Sequence, residues 1–189
     1  MLCPKKMKGK FALLHRILPD IQVIYFTDIR DLTLSYWKKY FTKLSDYVFR
    51  ESNHWFETRN IGGGCPPVET DKGWLLIYHA VDDKDDSKYQ MGAMLLDPED
   101  PTKVLCRTNE PILKPTECYE NEGLKYGVTY PCGSAIVKNQ LLVYYGGADM
   151  VTCVASTPIN EFLNKLKSSE SAKLETIKQL NINNNYVLN

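Results

Sequence analysis

The sequence predicts an all-β fold of propeller type, an incomplete array of about three sheets with a helix near the C-terminal end. Three observations predict it. A polar turn followed by an aliphatic-aromatic run occurs at residues 9–15, 73–79 and 140–146, a spacing of ~65 residues. A second strand-like run follows each, at 21–27, 89–96 and 151–156. Each second run ends at a stop rich in Asp or Pro, at 28–31, 97–101 and 157–158.

The runs are short, rich in Val, Ile, Tyr and Leu, and bounded by Gly, Asp and Pro, which is strand chemistry. The unbroken stretch Trp74-Leu75-Leu76-Ile77-Tyr78 suits a strand buried on both faces. A unit of two such strands cannot bury its own faces, so repetition implies sheets stacked on their neighbours. A β-sandwich without repetition is the alternative.

Two stretches carry helical spacing. Across 31–44, Thr33, Trp37, Tyr40, Phe41 and Leu44 share a face, with Lys38, Lys39 and Lys43 elsewhere. That aromatic stripe reads as core packing rather than a ligand platform. Near the end, Thr157 reads as an N-cap with Pro158 at the first helical position. Ile159, Phe162, Leu163 and Leu166 then form an apolar stripe. The propeller domain is thus expected over 1–166. A polar tail, containing Asn181, Asn183, Asn184 and Asn185, is expected over 167–189.

Composition bounds the function. The chain has 189 residues, one domain's worth, and balances 23 Lys+Arg against 23 Asp+Glu. A neutral chain has no electrostatic footprint for nucleic acid or an anionic membrane. No apolar run approaches the ~18 residues of a membrane span. Lys5, Lys6, Lys8 and Lys10 crowd the short apolar patch at 11–14, and Pro19 and Asp20 follow it, so no signal peptide is expected. The six cysteines, Cys3, Cys65, Cys106, Cys118, Cys132 and Cys153, have neither Cys-x-x-Cys nor zinc spacing. They read as reduced thiols of a cytoplasmic protein, with a disulfide framework as the alternative. The three histidines are far apart, so no metal is expected.

Four places could carry chemistry. The stretch Arg59-Asn60-Ile61-Gly62-Gly63-Gly64-Cys65-Pro66-Pro67 is either a flexible turn or a backbone cradle for an anion, without a Walker Lys. His79, at a strand end, is either structural or a donor to an anion. Arg16, beside His15, is either a surface residue or a planar fork for phosphate or carboxylate. Asp149, after Gly146 and Gly147, is either a turn residue or an acceptor for two sugar hydroxyls. If the three runs are equivalent strands, His15, Arg16, His79, Gly146 and Asp149 meet at one opening. That set suits an anion beside a polyol. There is no Gly-x-Ser-x-Gly elbow for a Ser-His-Asp triad.

Several stretches together resemble glycoside hydrolase family 130, the β-mannoside phosphorylases and related β-mannosidases. They are Lys8-Gly9-Lys10-Phe11-Ala12-Leu13-Leu14-His15-Arg16, residues 60–81, Tyr89-Gln90-Met91-Gly92-Ala93-Met94-Leu95-Leu96-Asp97 and Asp100-Pro101-Thr102-Lys103-Val104. Glu110-Pro111-Ile112-Leu113, Tyr130-Pro131-Cys132-Gly133 and Tyr144-Tyr145-Gly146-Gly147-Ala148-Asp149 continue the match. It runs in order over about residues 5–166.

The resemblance implies a five-bladed propeller and an inverting reaction. Inorganic phosphate, a co-substrate rather than a cofactor, attacks the anomeric carbon of a terminal β-mannoside and releases mannose 1-phosphate. Carried over by position, Arg16 and His79 hold phosphate, Tyr89 lines that pocket and Asp149 binds mannose. Asn60 stands in the phosphate site where phosphorylases usually have Lys. That change moves weight toward the alternative of a β-mannosidase. The family's general acid lies in an Asp-Pro-Arg motif, which this sequence lacks; Asp97-Pro98 and Asp100-Pro101 match a different, structural segment. The expectation is an N-terminally truncated member of about three blades, with the acid and a further phosphate-binding Arg upstream of Met1. A non-catalytic sugar-binding fragment is a further alternative. The expected partners are a β-mannoside oligosaccharide and phosphate, with self-association or a complementing chain at the open sheet edge.

Overall fold

The computed structural model describes residues 1–50 and 54–177, which form three antiparallel sheets. The first contains β1 (Phe11–Ile17), β2 (Asp20–Phe26) and β3 (Val48–Arg50), in that order. Helix α1 (Leu34–Phe41) connects β2 to β3. The second sheet contains β4 (Asn60–Gly63), β5 (Val68–Thr70), β6 (Gly73–Asp82), β7 (Asp85–Leu96) and β8 (Val104–Arg107). Both β4 and β5 pair with β6, then β7 and β8 follow. After α2 (Cys118–Asn121) comes the third sheet, built from β9 (Thr129–Val137), β10 (Gln140–Gly147), β11 (Val151–Pro158) and β12 (Glu175–Thr176). Helix α3 (Ile159–Lys167) lies between β11 and β12.

Each repeated run and its successor form an antiparallel hairpin, β1–β2, β6–β7 and β10–β11, as the repeat predicts. Every residue of β6 is buried, which is why the run at 74–78 is apolar without interruption. Successive side chains serve opposite cores. Trp74, Leu76, Tyr78 and Ala80 pack with Ala12, Leu14, Ile21 and Val23 of the first sheet. Leu75 and Ile77 pack with Leu141, Val143 and Tyr145 of the third. The middle sheet therefore has no water-facing side over this length. Fully burying each such Leu or Ile contributes about 1.5–3 kcal/mol. The β9–β10 turn places Lys138 and Asn139 at φ 47° and 68°. Two left-handed residues in succession match the twist of a two-residue hairpin.

The structure departs from expectation at both helices. The stretch 31–44 is not one helix. A 3-10 turn at Ile29–Asp31, capped by Asp28, precedes α1, and a second 3-10 turn at Leu44–Tyr47 follows it. Thr33 is not on the packed face but is the N-cap of α1, its hydroxyl accepting from Tyr36 N–H at 3.2 Å. Nor does Thr157 cap α3. Leu141 pairs with Thr157 and Gln140 with Pro158, so β11 continues to the residue before the helix. The predicted apolar stripe is buried as expected, at Ile159, Phe162, Leu163 and Leu166.

The segment after α3 is not a free tail in its described part. β12 pairs with β11, Ala155 opposite Thr176, and Ala172 and Leu174 enter the core. Polar composition concealed two well-spaced apolar contacts. Asn181, Asn183, Asn184 and Asn185 lie outside the described residues. All six cysteines are free thiols. No helix among the described residues is long and apolar enough to cross a membrane.

Candidate functional site

Strand alternation separates the adjacent pair His15 and Arg16. Arg16 shares the parity of Ala12 and Leu14, which face the second sheet. His15 takes the opposite face, where Nε2 meets the Tyr40 hydroxyl at 2.7 Å and the ring lies 6.0 Å from that of Trp37. The structure thus removes His15 from the expected cluster. Trp37 and Tyr40 of α1 pack on it, whereas Phe41, expected on the same packed face, is exposed.

Arg16 reaches across to the second sheet. Its Nη1 donates to Asn60 Oδ1 at 3.0 Å and lies 2.6 Å from His79 Nε2. A guanidinium has no acceptor, so Nε2 accepts and the imidazole proton sits on Nδ1. Burial, and then the Arg16 charge, push the His79 pKa down to about 3. His79 is therefore neutral at physiological pH. Its Nδ1 is buried and has no hydrogen-bond partner among the described residues, a donor open to a ligand oxygen or water.

Over Asn60–Gly63 the glycine-rich stretch is not a flexible turn. Asn60–Gly63 is strand β4, with Asn60 opposite Val81 and Gly62 opposite His79. Its glycine requirement is steric. A Cβ at Gly62 would lie 2.5 Å from His79 Cε1 and 2.9 Å from Arg16 Cδ. Only a residue without a side chain lets the Arg16–His79 pair lie against β4.

The third sheet completes the site. Tyr130, on β9, stacks on His79 with ring centroids 4.7 Å apart. Tyr89, on β7, lies 5.7 Å from His79 and 6.1 Å from Tyr130. Beside these rings is a cavity of about 250 Å³ lined by Tyr89, Lys125, Val128, Tyr130 and Asp149. Asp149 stands in the turn between β10 and β11 at φ 55°, a left-handed conformation that Asp tolerates well. Lys125 Nζ lies 4.3 Å from the centroid of the Tyr89 ring.

Arg16, Asn60 and His79 thus form one contiguous cluster, and Tyr89 and Tyr130 join it to the cavity of Asp149. The set offers a cation, neutral donors and a carboxylate beside aromatic surface, the chemistry of an anion next to a polyol. Sequence reasoning missed Tyr130 and Lys125 as site residues. Tyr130 lies in a matched stretch, but its partner His79 is far away in sequence. Lys125 sits in a loop without periodic pattern.

A family model described as beta-1,4-mannooligosaccharide phosphorylase matches residues 1–168. The chain belongs to glycoside hydrolase family 130. It is 42% identical over 154 residues to the 1,2-beta-oligomannan phosphorylase of Thermoanaerobacter sp. (strain X514), covering 82% of this chain and 48% of that protein. It is 34% identical over 167 residues to the beta-1,2-mannobiose phosphorylase of Listeria innocua, covering 88% and 45%. The solved Listeria beta-1,2-mannobiose phosphorylase, in complex with beta-1,2-mannobiose, is similar at a TM-score of 0.72 and 32% identity, covering 89% of this chain and 46% of that one. The chain spans about half the length of the curated relatives it matches.

Proposed function

We propose that this chain carries the phosphate- and mannose-binding part of an inverting β-mannoside phosphorylase. One observation carries the reading: Arg16 is held by two neutral partners, Asn60 and His79, beside the cavity of Asp149. No carboxylate among the described residues pairs with it, so its charge is available to an anion. A phosphate oxygen attacks the anomeric carbon of the terminal mannoside, and the bond to the leaving oxygen breaks with inversion. The leaving oxygen takes a proton, giving mannose 1-phosphate and a shortened acceptor.

Arg16 and the His79 Nδ1–H position phosphate and offset its charge, and Tyr89 walls the pocket. Asn60 fixes the guanidinium through its amide oxygen. Asp149 accepts from mannose hydroxyls. The sequence contains no Asp-Pro-Arg motif, so the proton donor comes from residues outside these 189. The same reading makes the three sheets part of a five-bladed propeller. The exposed apolar residues Leu2 and Ile29 line, with Phe11, Leu13 and Phe26, a groove of about 570 Å³ on the first sheet. We infer that another sheet of that propeller covers it.

Calorimetry with β-1,2-mannobiose, with and without inorganic phosphate, tests the function. Phosphate is expected to tighten sugar binding, and Arg16→Met to weaken phosphate binding ~10–100-fold, the worth of a charge-assisted hydrogen bond. Sugar binding indifferent to phosphate would leave a carbohydrate-binding module instead.

A further inference from the structure

Resting on the mannose role of Asp149, we propose that Glu120 is a positioning residue for that carboxylate. It fixes the stretch 116–128, which holds the Ala148–Asp149 turn in shape. The argument begins with a buried charge that the chemistry above does not use. Glu120, on α2, is inaccessible to solvent, and no cation among the described residues pairs with it. Neutral donors hold its carboxylate instead. Oε2 accepts the N–H groups of Thr116 and Glu117, at 2.8 and 2.9 Å, and Oε1 accepts the Tyr145 hydroxyl at 2.6 Å. Burial, and then this hydrogen bond, push the Tyr145 phenol well above its usual range, so it stays a donor. A buried carboxylate with such partners is costly to disturb, because a lost donor leaves charge unsatisfied. One side chain thus ties α2 to β10, two residues before Gly147.

The far end of the stretch holds the turn. Val128 N–H donates to Glu120 O at 2.9 Å, and Val128 O accepts from Ala148 N–H at 3.2 Å. Ala148 O accepts from Lys125 N–H at 3.1 Å. Gly123 lies so close that a Cβ there would be 2.5 Å from Ala148 O. Ala148 is buried, and it and Asp149 stand at φ 48° and 55°. Left-handed backbone is unfavourable for residues other than glycine and persists where the surroundings over-determine it. Asp tolerates it, whereas Ala148 has no polar side chain to bond locally. The contacts from 116–128 are those surroundings. The turn in turn sets where the Asp149 carboxylate meets the cavity that it lines with Val128. Glu120 therefore acts on the sugar site through the backbone, without touching a ligand.

Calorimetry with methyl β-mannoside and amide hydrogen exchange by NMR test this on the full chain. The variants are Glu120→Ala, Tyr145→Phe, Glu120→Gln and Asp149→Ala, and the melting temperature reports folding. Glu120→Ala is expected to weaken mannoside binding about tenfold, the effect of a turn competent in about a tenth of molecules. Exchange at Ala148 N–H should quicken by about the same factor, and phosphate binding should change less than about twofold. Tyr145→Phe, which removes one hydroxyl and carries the test if Glu120→Ala does not fold, should weaken mannoside binding about threefold. Glu120→Gln should largely restore both readouts, since an amide can accept from N–H groups and donate to the Tyr145 hydroxyl. Unchanged mannoside affinity, or unchanged exchange at Ala148, in folded Glu120→Ala or Tyr145→Phe would overturn the proposal. Equal loss of mannoside and phosphate would make Glu120 a general stabiliser, also against it. If Asp149→Ala binds mannoside like the unaltered chain, or the unaltered chain binds none, the sugar reading of Asp149 fails and takes this role with it. Exchange at Ala148 needs no ligand, so that failure is distinguished from a turn that Glu120 does not hold.

Discussion

Two arginines in this protein have opposite surroundings. Arg107, on β8, is buried against Glu57, itself inaccessible, and Tyr78 donates its hydroxyl to the same carboxylate at 2.5 Å. Arg16, on β1, is exposed and among the described residues hydrogen-bonds to an amide oxygen and a neutral imidazole. The two places are neighbours in the chain, since Tyr78 and His79 are consecutive residues of β6 with opposite parity. A buried guanidinium paired with a carboxylate is electrically closed. Its worth lies in not leaving either charge alone in a low-dielectric interior. A guanidinium oriented by neutral acceptors keeps its charge, and that separates a ligand site from a structural ion pair. Tyr78 makes the contrast plainer: burial, and then the Glu57 carboxylate, push its phenol well above the usual range, so it remains a donor.

The largest test of this contrast is Glu57→Ala. It strands Arg107 in the core and should cost about 3–5 kcal/mol in urea unfolding. Phosphate binding by the folded fraction should be unchanged. A loss below ~1 kcal/mol would show the Arg107 pair to be solvated rather than closed.

Gly62→Ala probes the open arginine without touching its charge. The added methyl group would overlap His79 and approach Arg16 Cδ at 2.9 Å. Overpacking should cost about 1–3 kcal/mol, and phosphate affinity should fall because the pair must move. Unchanged melting and unchanged affinity together would show that the close approach is dispensable.

The third test is pH. Folded His79 stays neutral down to about 3, whereas its ordinary value is 6.5. Between those values the unfolded chain binds one more proton at this site than the folded chain. Stability from this group therefore falls as pH drops below about 6.5, by about 1.4 kcal/mol per pH unit. His79→Gln removes that dependence, so the stability gap between variant and unaltered chain should narrow by about 2 kcal/mol from pH 7 to pH 5. A gap that stays constant would mean that His79 titrates normally in the fold.

Much of the architecture was readable because two-sided burial leaves a plain signature. A strand covered on both faces must be apolar throughout, so 73–79 declared itself. Boundaries were less readable where two rules compete. Thr157 and Pro158 have cap chemistry, yet pairing with Gln140 and Leu141 keeps them in the sheet. Leu174 lies in a polar stretch, and the pairing of β12 together with its own N–H donating to Ile112 O at 3.0 Å brings its segment into the core.

Residue order alone determined three β-hairpins of similar make-up, a chain without a basic or membrane-spanning signature, and Arg16, His79 and Asp149 as chemically suited candidates, while Asn60 and Tyr89 entered through the family resemblance. Tertiary structure decided which of them meet. Strand parity sent His15 to the α1 aromatics and Arg16 to His79. Sheet stacking laid Tyr130 on that histidine, and a loop held by Ala148 and Tyr89 brought in Lys125. The physical reason is that side-chain identity and period are local properties, whereas contact between sheets depends on register and packing across distant positions.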